Sequence, residues 1–516
     1  MALQHRPMTS RDLDSLTSWH ADWAGLRVAV LGLGVTGFSA ADTLAELGCS
    51  VLVATKSADT TMTEILEVIG VELLVADLEA GVPGRLEEFA PELVIVSPGF
   101  APHHPLVAWA QGSGAAVWGD VELAWRLRDK NGAPAEWITV TGTNGKTTTV
   151  QLTAAMLVAG GLRAAPCGNV GVPVLDAIRD PGGFDVLVVE LSSFQLHYLG
   201  SISPWASACL NVADDHLDWH GSPAAYRAAK GRVYENTRIA CIYNKDAPIT
   251  RELVEAADVV EGCRAVGFGF GIPGPSDFGV VEGILCDRAF LEERRDSALE
   301  IVTVGELADV GLGGAHLVAN ALAAAALARS FGAPIAAVRS ALLAFKADHH
   351  RAEVVARHEG VTWVDDSKAT NAHAARASLT AFDSVVWIVG GLFKGASPDE
   401  LVASMSPRLR GAIVIGIDRT AVLASFARHA PGLPVMEVDT AETEDVMPTA
   451  VRLAAELAVD GDVVLLAPAA ASMDQFTDYA DRGRRFANAV QEKVAQGNRG
   501  GDADDDEPPA SPSPGR

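Results

Sequence analysis

The sequence predicts an α/β protein of three domains: Rossmann-like domains at the two ends, and between them a phosphate-loop ATPase domain with a mostly parallel sheet. Two observations carry that prediction. Short β-branched apolar runs alternate with helix-prone stretches along most of the chain. Several of those runs lead straight into a glycine-rich or polar turn, the start of a ligand-binding sheet. At 516 residues the chain exceeds what one core supports, and 49% apolar content is enough for several.

The first domain is assigned to residues 1–122. Arg27 to Leu31 reads as a buried strand, followed by Gly32-Leu33-Gly34-Val35-Thr36-Gly37 and a helix to about Leu47. Val51 to Ala54, Glu72 to Val75 and Leu93 to Val96 continue the alternation. The last of these ends in Ser97-Pro98-Gly99, at the strand end where open α/β sheets bind ligands. A nicotinamide dinucleotide would need an acid at the end of the second strand, where Ala54-Thr55-Lys56 stand instead. The glycine turn is therefore read as holding another ligand's diphosphate, the bland alternative being tight packing.

The second domain is assigned to 123–345. A hydrophilic, helix-prone stretch from Asp120 to Lys130 leads to the joint Asn131-Gly132-Ala133-Pro134. Ile138-Thr139-Val140 then runs into Thr141-Gly142-Thr143-Asn144-Gly145-Lys146-Thr147-Thr148. Backbone N–H groups in such a turn, aided by the helix dipole, donate to phosphate oxygens. Lys146 would reach the β- and γ-phosphates and Thr147 would ligate Mg²⁺, so the chain is expected to use ATP. The spacing departs from the standard phosphate loop, because Val140 occupies its first glycine position.

Val186 to Val189 ends in Glu190, placed as a metal-binding acid on a neighbouring strand. Ser192-Ser193-Phe194-Gln195 offers hydroxyls and an amide to orient a substrate. After a strand at Ala208 to Val212, the run Asp214 to His220 is dense in ligands. His216 and His220 would share a face if helical, and one of them is read as a Mg²⁺ or Mn²⁺ ligand. Lys230 reads as an ordinary helix lysine. Ile239 to Tyr243 is a strand, 264–310 is turn-rich without a clear order, and His316 to Arg329 and Ala333 to Ala344 are helices.

The third domain is assigned to 346–495. Its strands are Trp363-Val364, Ser384 to Val389, Gly411 to Ile415 and Asp462 to Leu466. Three strand-end loops follow: Asp366-Ser367-Lys368-Ala369-Thr370-Asn371, Gly390-Gly391-Leu392-Phe393-Lys394-Gly395, and Ala469 to Phe476 with Ser472. Their donors suit the carboxylates of a small amino acid. Residues 496–516, rich in Gly, Asp, Pro and Ser, read as a disordered acidic tail.

A formal charge of -26 and the lack of a basic run exclude a nucleic-acid partner. Six cysteines without a CxxC pair predict reduced, buried thiols in a cytoplasmic protein, not disulfides or a zinc site. No signal-peptide profile is visible, and the most apolar helix, Leu317 to Ala328, is too short to span a bilayer, so no membrane insertion is expected. An ATP site, an acidic metal shell and separate anion-recognising loops fit ligation through an acyl phosphate, or a motor or switch ATPase. Dependence on a carboxylate and an amine discriminates them, and the third set of loops favours ligation.

These motifs together resemble the Mur ligase family, in particular its D-glutamate-adding members. The resemblance runs over about residues 20 to 492 and also rests on Gly168-Asn169-Val170-Gly171, Asn211-Val212, Tyr226 to Lys230, His316 with Asn320, His350-Arg351 and Arg482-Gly483. It implies a monomeric cytoplasmic enzyme that joins D-glutamate to UDP-N-acetylmuramoyl-L-alanine. Gly34, Val35, Thr36, Thr55, Lys56, Ser97 and Gly99 would serve the UDP part, with Asn169, Ser192 and Gln195 near the muramoyl-alanine. Thr147 and Glu190 would hold one Mg²⁺; Glu190, His216 and a carbamylated Lys230 would hold a second, with Mn²⁺ able to substitute. Asn320, Arg351, Asp366 and Lys368 would contact the nucleotide, beside the loop residues Gly142 to Thr148. Thr370, Lys394, Ser472 and Tyr479 would meet D-glutamate. Relatives often carry an acid where Ala54 stands and an Asn where Leu317 stands. Closure of the third domain over the second would protect the acyl phosphate from water.

Overall fold

A computed structural model describes residues 12–346, 350, 352–440 and 442–501. Arg351 and residues 502–516 of the acidic tail therefore lie outside the described residues.

Three sheets carry the architecture. The first joins β1 (Arg27–Leu31), β2 (Ser50–Thr55), β3 (Glu72–Val75), β4 (Leu93–Val96) and β5 (Ala116–Gly119). All are parallel, in the order β3-β2-β1-β4-β5. Their near-continuous apolar runs follow from burial on both faces by helices.

The second sheet has nine strands. Five are β6 (Glu136–Thr141), β7 (Ala164–Gly168), β8 (Val186–Glu190), β9 (Ala206–Cys209) and β10 (Ala240–Asn244). The other four are β11 (Arg264–Phe268), β12 (Asp277–Val281), β13 (Ile284–Asp287) and β14 (Leu299–Thr303). Their order is β14-β13-β12-β11-β10-β9-β6-β8-β7. Only the pairs β12–β13 and β13–β14 are antiparallel, and they account for the turn-rich stretch 264–310. β9 starts two residues earlier than the apolar run suggested; the run's end, Leu210 to Val212, turns away to serve the site.

The third sheet has the order β15-β16-β20-β17-β18-β19. Its strands are β15 (Glu353–His358), β16 (Val361–Asp365), β17 (Val385–Gly390), β18 (Leu409–Ile415), β19 (Val435–Glu437) and β20 (Val463–Leu466). Only β15 runs antiparallel to its neighbour.

The chain forms two compact units. One contains the first two sheets. The other contains the third sheet together with Ala213–Asp218. In the first unit, the helix Asp120–Leu127 is buried along its whole length, although its charges read as hydrophilic. Its Glu122 pairs with Arg126 at 2.8 Å and accepts from the backbone N–H groups of Gly200 and Ser201, at 2.9 Å each. Buried charges are tolerated when paired in this way. Four of the cysteines are buried, but Cys49 and Cys263 are only half-buried, a correction to the expectation of buried thiols. Among the described residues no helix is long and apolar enough to cross a membrane.

Candidate functional site

The phosphate-type loop lies at the C-terminal end of β6. Gly145, at φ +85°, turns the chain into the helix Lys146–Ala159 and, as its N-cap residue, brings no capping side chain of its own. The positive end of the helix dipole thus faces the loop. Asn211, just beyond β9, clamps the turn: its Oδ1 accepts from the Asn144 N–H at 2.9 Å and its amide donates to the Asn144 carbonyl at 3.1 Å. The Thr143 N–H donates to the Asn211 carbonyl at 3.0 Å. Lys146 Nζ donates to the carbonyls of Gly142 (2.9 Å) and Thr143 (3.1 Å), so its ammonium lies over the turn. Thr147 and Thr148 are buried in the helix's first turn. Asn320, 6% exposed on the helix Ala315–Ser330, abuts Gly145.

Lys230 is not an ordinary surface lysine. It is 2% exposed, and its Nζ donates to the Gly142 carbonyl at 3.0 Å and to Thr141 Oγ1 at 3.3 Å. The helix Pro223–Gly231, N-capped by Ser222, buries Tyr226, Ala229 and Lys230 on one stripe. The Tyr226 hydroxyl meets Thr143 Oγ1 at 2.9 Å and its ring lies 4.9 Å from Lys230 Nζ. The four-residue spacing of Tyr226 and Lys230 was the available signal for this shared face; the part played by Asn211 had none beyond its motif.

Glu190 ends β8, in register with Val140 of β6 and Gly168 of β7. It is 2% exposed; Oε1 accepts from the Asn169 amide at 3.0 Å, while Oε2 is buried without a donor among the described residues. A buried carboxylate oxygen lacking a donor is costly, and a hard divalent cation satisfies it. The donor set at this strand end therefore fits Mg²⁺. Ser192 and Gln195 form a capping box that starts the helix Ser193–His197. The Gln195 amide donates to Asp120 Oδ2 at 3.1 Å, and burial pushes the Asp120 carboxyl up to about 6.

His216 and His220 would share a face only on one helix, and His216 lies outside the helix that ends in His220. His216, at φ +52°, precedes the short helix Leu217–His220. Its N–H donates to Asp215 Oδ1 at 2.9 Å, and it lies in the segment grouped with the second unit. His220 Nε2 instead meets Ser193 Oγ at 2.9 Å.

In the first sheet, the turn after β1 packs closely: a Cβ on Gly37 would lie 2.1 Å from the Gly32 carbonyl oxygen. Beside Gly34 there is open space, next to exposed Val35 and half-buried Thr36. Ser97 Oγ is 3.5 Å from the Gly32 carbonyl, and Gly99 is exposed on the neighbouring strand-end loop. Thr55 is buried and donates to the Ser57 carbonyl at 2.9 Å, while Lys56 is exposed.

In the second unit, three loops leave the C-terminal ends of β16, β17 and β20, and they are tied together. Leu392 and Ala471 exchange backbone hydrogen bonds of 2.9 Å each, which joins the Lys394 loop to the Ser472 loop. Arg482, fully buried, donates to Ser367 Oγ (2.9 Å), the Ser367 carbonyl (2.8 Å) and the Ala470 carbonyl (3.1 Å). Burial lowers its pKa to about 10, so it remains a cation at neutral pH. Asp366 Oδ2 accepts from the Ser378 hydroxyl. Lys368 Nζ sits 4.8 Å from the Tyr479 ring, and the Thr370 N–H donates to the Lys368 carbonyl at 2.9 Å. Lys394 adopts φ +52°, and Ser472 is buried. His350 Nδ1 is 2.6 Å from Asp365 Oδ2, a bond that raises the imidazole's pKa.

Three family models match this chain: the Mur ligase MurD-like N-terminal domain over residues 26–119, the Mur ligase middle domain over 140–328, and the glutamate ligase domain of Mur ligases over 350–470. The chain is 63% identical over 515 residues to a UDP-N-acetylmuramoylalanine–D-glutamate ligase of Leifsonia xyli subsp. xyli, with 98% of each chain covered. It is 53% identical to the enzyme of that name from Streptomyces avermitilis, covering 91% of this chain and 99% of the other. Among solved structures, the UDP-N-acetylmuramate-alanine ligase of Thermotoga maritima superposes with a TM-score of 0.53 at 19% identity. That match covers 91% of this chain and all of the other.

Proposed function

We propose that this chain, which belongs to the Mur ligase family, adds D-glutamate to UDP-N-acetylmuramoyl-L-alanine with ATP, giving ADP and phosphate in cytoplasmic peptidoglycan precursor synthesis. The observation that carries the chemistry is the juxtaposition at the ends of β6 and β8. Lys146 and Lys230, both donating to the Gly142 carbonyl just past β6, lie at the strand end next to Glu190, whose Oε2 has no donor among the described residues. The high identity to D-glutamate ligases over the full chain supports the substrate.

The loop Gly142 to Thr148 holds the ATP phosphates, with the start of the helix Lys146–Ala159 directed at them. Asn320, Arg351, Asp366 and Lys368 serve the nucleoside and phosphates. The alanyl carboxylate attacks the γ-phosphorus, the bond to ADP breaks, and an acyl phosphate forms. The Lys146 ammonium neutralises charge gathering on the transferred group. Thr147 and Glu190 would hold Mg²⁺, which would supply positive charge for the transferred phosphoryl group. Carbamylated Lys230 serves as an anionic ligand beside Glu190, and His216 is assigned as a further ligand on the family likeness alone. Gly34, Val35, Thr36, Thr55, Lys56, Ser97 and Gly99 bind the UDP portion, and Asn169, Ser192 and Gln195 the sugar and peptide. The D-glutamate amine then attacks the acyl carbon, and phosphate leaves from the tetrahedral intermediate. Thr370, Lys394, Ser472 and Tyr479 receive the D-glutamate carboxylates, and the enzyme works as a monomer.

The test is phosphate release from ATP with UDP-N-acetylmuramoyl-L-alanine and, in turn, D-glutamate, D-aspartate, L-lysine or meso-diaminopimelate. Release only with D-glutamate, with a product heavier by one glutamyl residue, is expected. Release without any amine would instead identify an ATPase.

A further inference from the structure

We infer that Cys241 and Cys263 form an oxidisable dithiol site, which closes to a disulfide on reaction with a hydroperoxide. Their sulfurs lie 3.7 Å apart, already in contact. A disulfide needs about 2.05 Å, so closure calls for only a small local movement. Cys241 sits on β10, separated by β9 from β6, the strand that leads to the phosphate-type loop, and it is 1% exposed. Cys263 is half-buried and stands in the turn ahead of β11, with its N–H donated to the Val260 carbonyl at 3.0 Å. The ladder with β10 begins one residue later, at Arg264 opposite Ala240, so the backbone at Cys263 is not pinned by strand pairing.

The two thiols are unequal. The thiol–thiol contact lowers the pKa of Cys263, whereas the same contact and burial raise that of Cys241. Cys263, half-buried where Cys241 is 1% exposed, is the more accessible residue and the one a peroxide meets first. The balance is complete with hydrogen peroxide as oxidant. The Cys263 thiolate attacks one peroxide oxygen, the O–O bond breaks, and the departing hydroxide takes a proton to become water. The Cys241 sulfur then attacks the resulting sulfenic sulfur, the S–O bond breaks, and the oxygen leaves with the Cys241 proton as a second water. Two thiols and one peroxide give one disulfide and two waters.

The link would tie β10 to the head of β11 and close the segment that carries the helix Pro248–Glu255. Leu253 of that helix packs against Gly231, next to Lys230, with a Cβ built at Gly231 only 3.0 Å from it. The site thus lies in the layer behind the helix that carries Lys230.

The experiment treats the full-length native protein with hydrogen peroxide, then alkylates it under denaturing conditions and maps the peptides by mass spectrometry. Expected are two fewer alkylated thiols, a cross-linked peptide pair carrying Cys241 and Cys263, a mass lower by about 2 Da, and reversal by dithiothreitol. Cys263→Ser and Cys241→Ser should each abolish the cross-link. The inference is overturned if both thiols stay fully alkylatable. It is also overturned if Cys263 gains about 32 Da as a sulfinic acid while Cys241 remains a free thiol.

Discussion

Gly145→Ala tests the phosphate-type loop at its tightest point. Gly145 holds φ +85°, a left-handed conformation that costs an L-residue about 1–2 kcal/mol. A Cβ there would also lie 2.4 Å from Asn320 Oδ1 and 3.0 Å from Asn320 Cγ. Ordinary contact begins near 3.4 Å, so the turn or the buried Asn320 must give way by about 1 Å, a displacement worth roughly 100-fold in rate at a phosphoryl-positioning loop. The expected outcome is a fall in kcat of that order in the phosphate-release assay, with a lower melting temperature. The double variant Gly145→Ala/Asn320→Ala separates the two causes. It removes the collision but not the backbone strain, so it should recover part of the lost melting temperature. A Gly145→Ala enzyme with unchanged kcat and melting temperature would refute the claim that this turn is sterically determined and holds the phosphates.

Lys146→Ala should lower turnover by about two orders of magnitude, the scale of removing a group that stabilises transition-state charge; a near-normal rate in steady-state assays would exclude its assigned role. Lys394→Ala should raise the KM for D-glutamate while leaving the KM for ATP nearly intact, and a change confined to ATP would sink that assignment. The His350–Asp365 pair predicts a pH effect. Asp365 raises the His350 pKa above its ordinary 6.5, so the folded protein binds the proton more tightly than the unfolded chain does. The stabilisation is fully present below pH 6.5 and is lost as pH rises through the raised value. Thermal melts of the native protein and His350→Gln should differ most at pH 6 and converge at higher pH; a gap independent of pH would contradict it.

The parallel sheets were legible because each motif follows an apolar run, and such runs survive in sequence as unbroken β-branched stretches. β5, β7, β15 and β19 escaped because they are edge strands without a long buried apolar run. The Glu190 position followed from one such run, but the solitary Oε2 beside it is a fact of burial that no pattern reports. Lys230 was misjudged for a related reason. Its helix is rich in alanine, so the Tyr226–Lys230 spacing is a faint signal, and the partners Thr141 and Gly142 that fix the lysine lie far off in sequence. For Gln195 the sequence offers an amide to orient substrate but not its local anchoring, in which the side chain spans the capping box and donates to Asp120.

The third sheet shows why strand direction matters as much as motif. Residues that follow β16, β17 and β20 reach one edge because those strands are mutually parallel. His350 precedes its strand, and a parallel β15 would have carried it to the opposite edge. β15 is antiparallel, with Glu353 in register with Asp365, so the start of β15 lies at the end of β16. That reversal brings the His350 ring to Asp365, and the His350 carbonyl accepts from the Lys368 N–H at 3.3 Å. The same geometry crowds Gly483, where a Cβ would lie 2.3 Å from His350 Nδ1 and 2.7 Å from Asp365 Oδ2. A single edge strand run backwards thus lets residues from before the sheet join the loops that follow it.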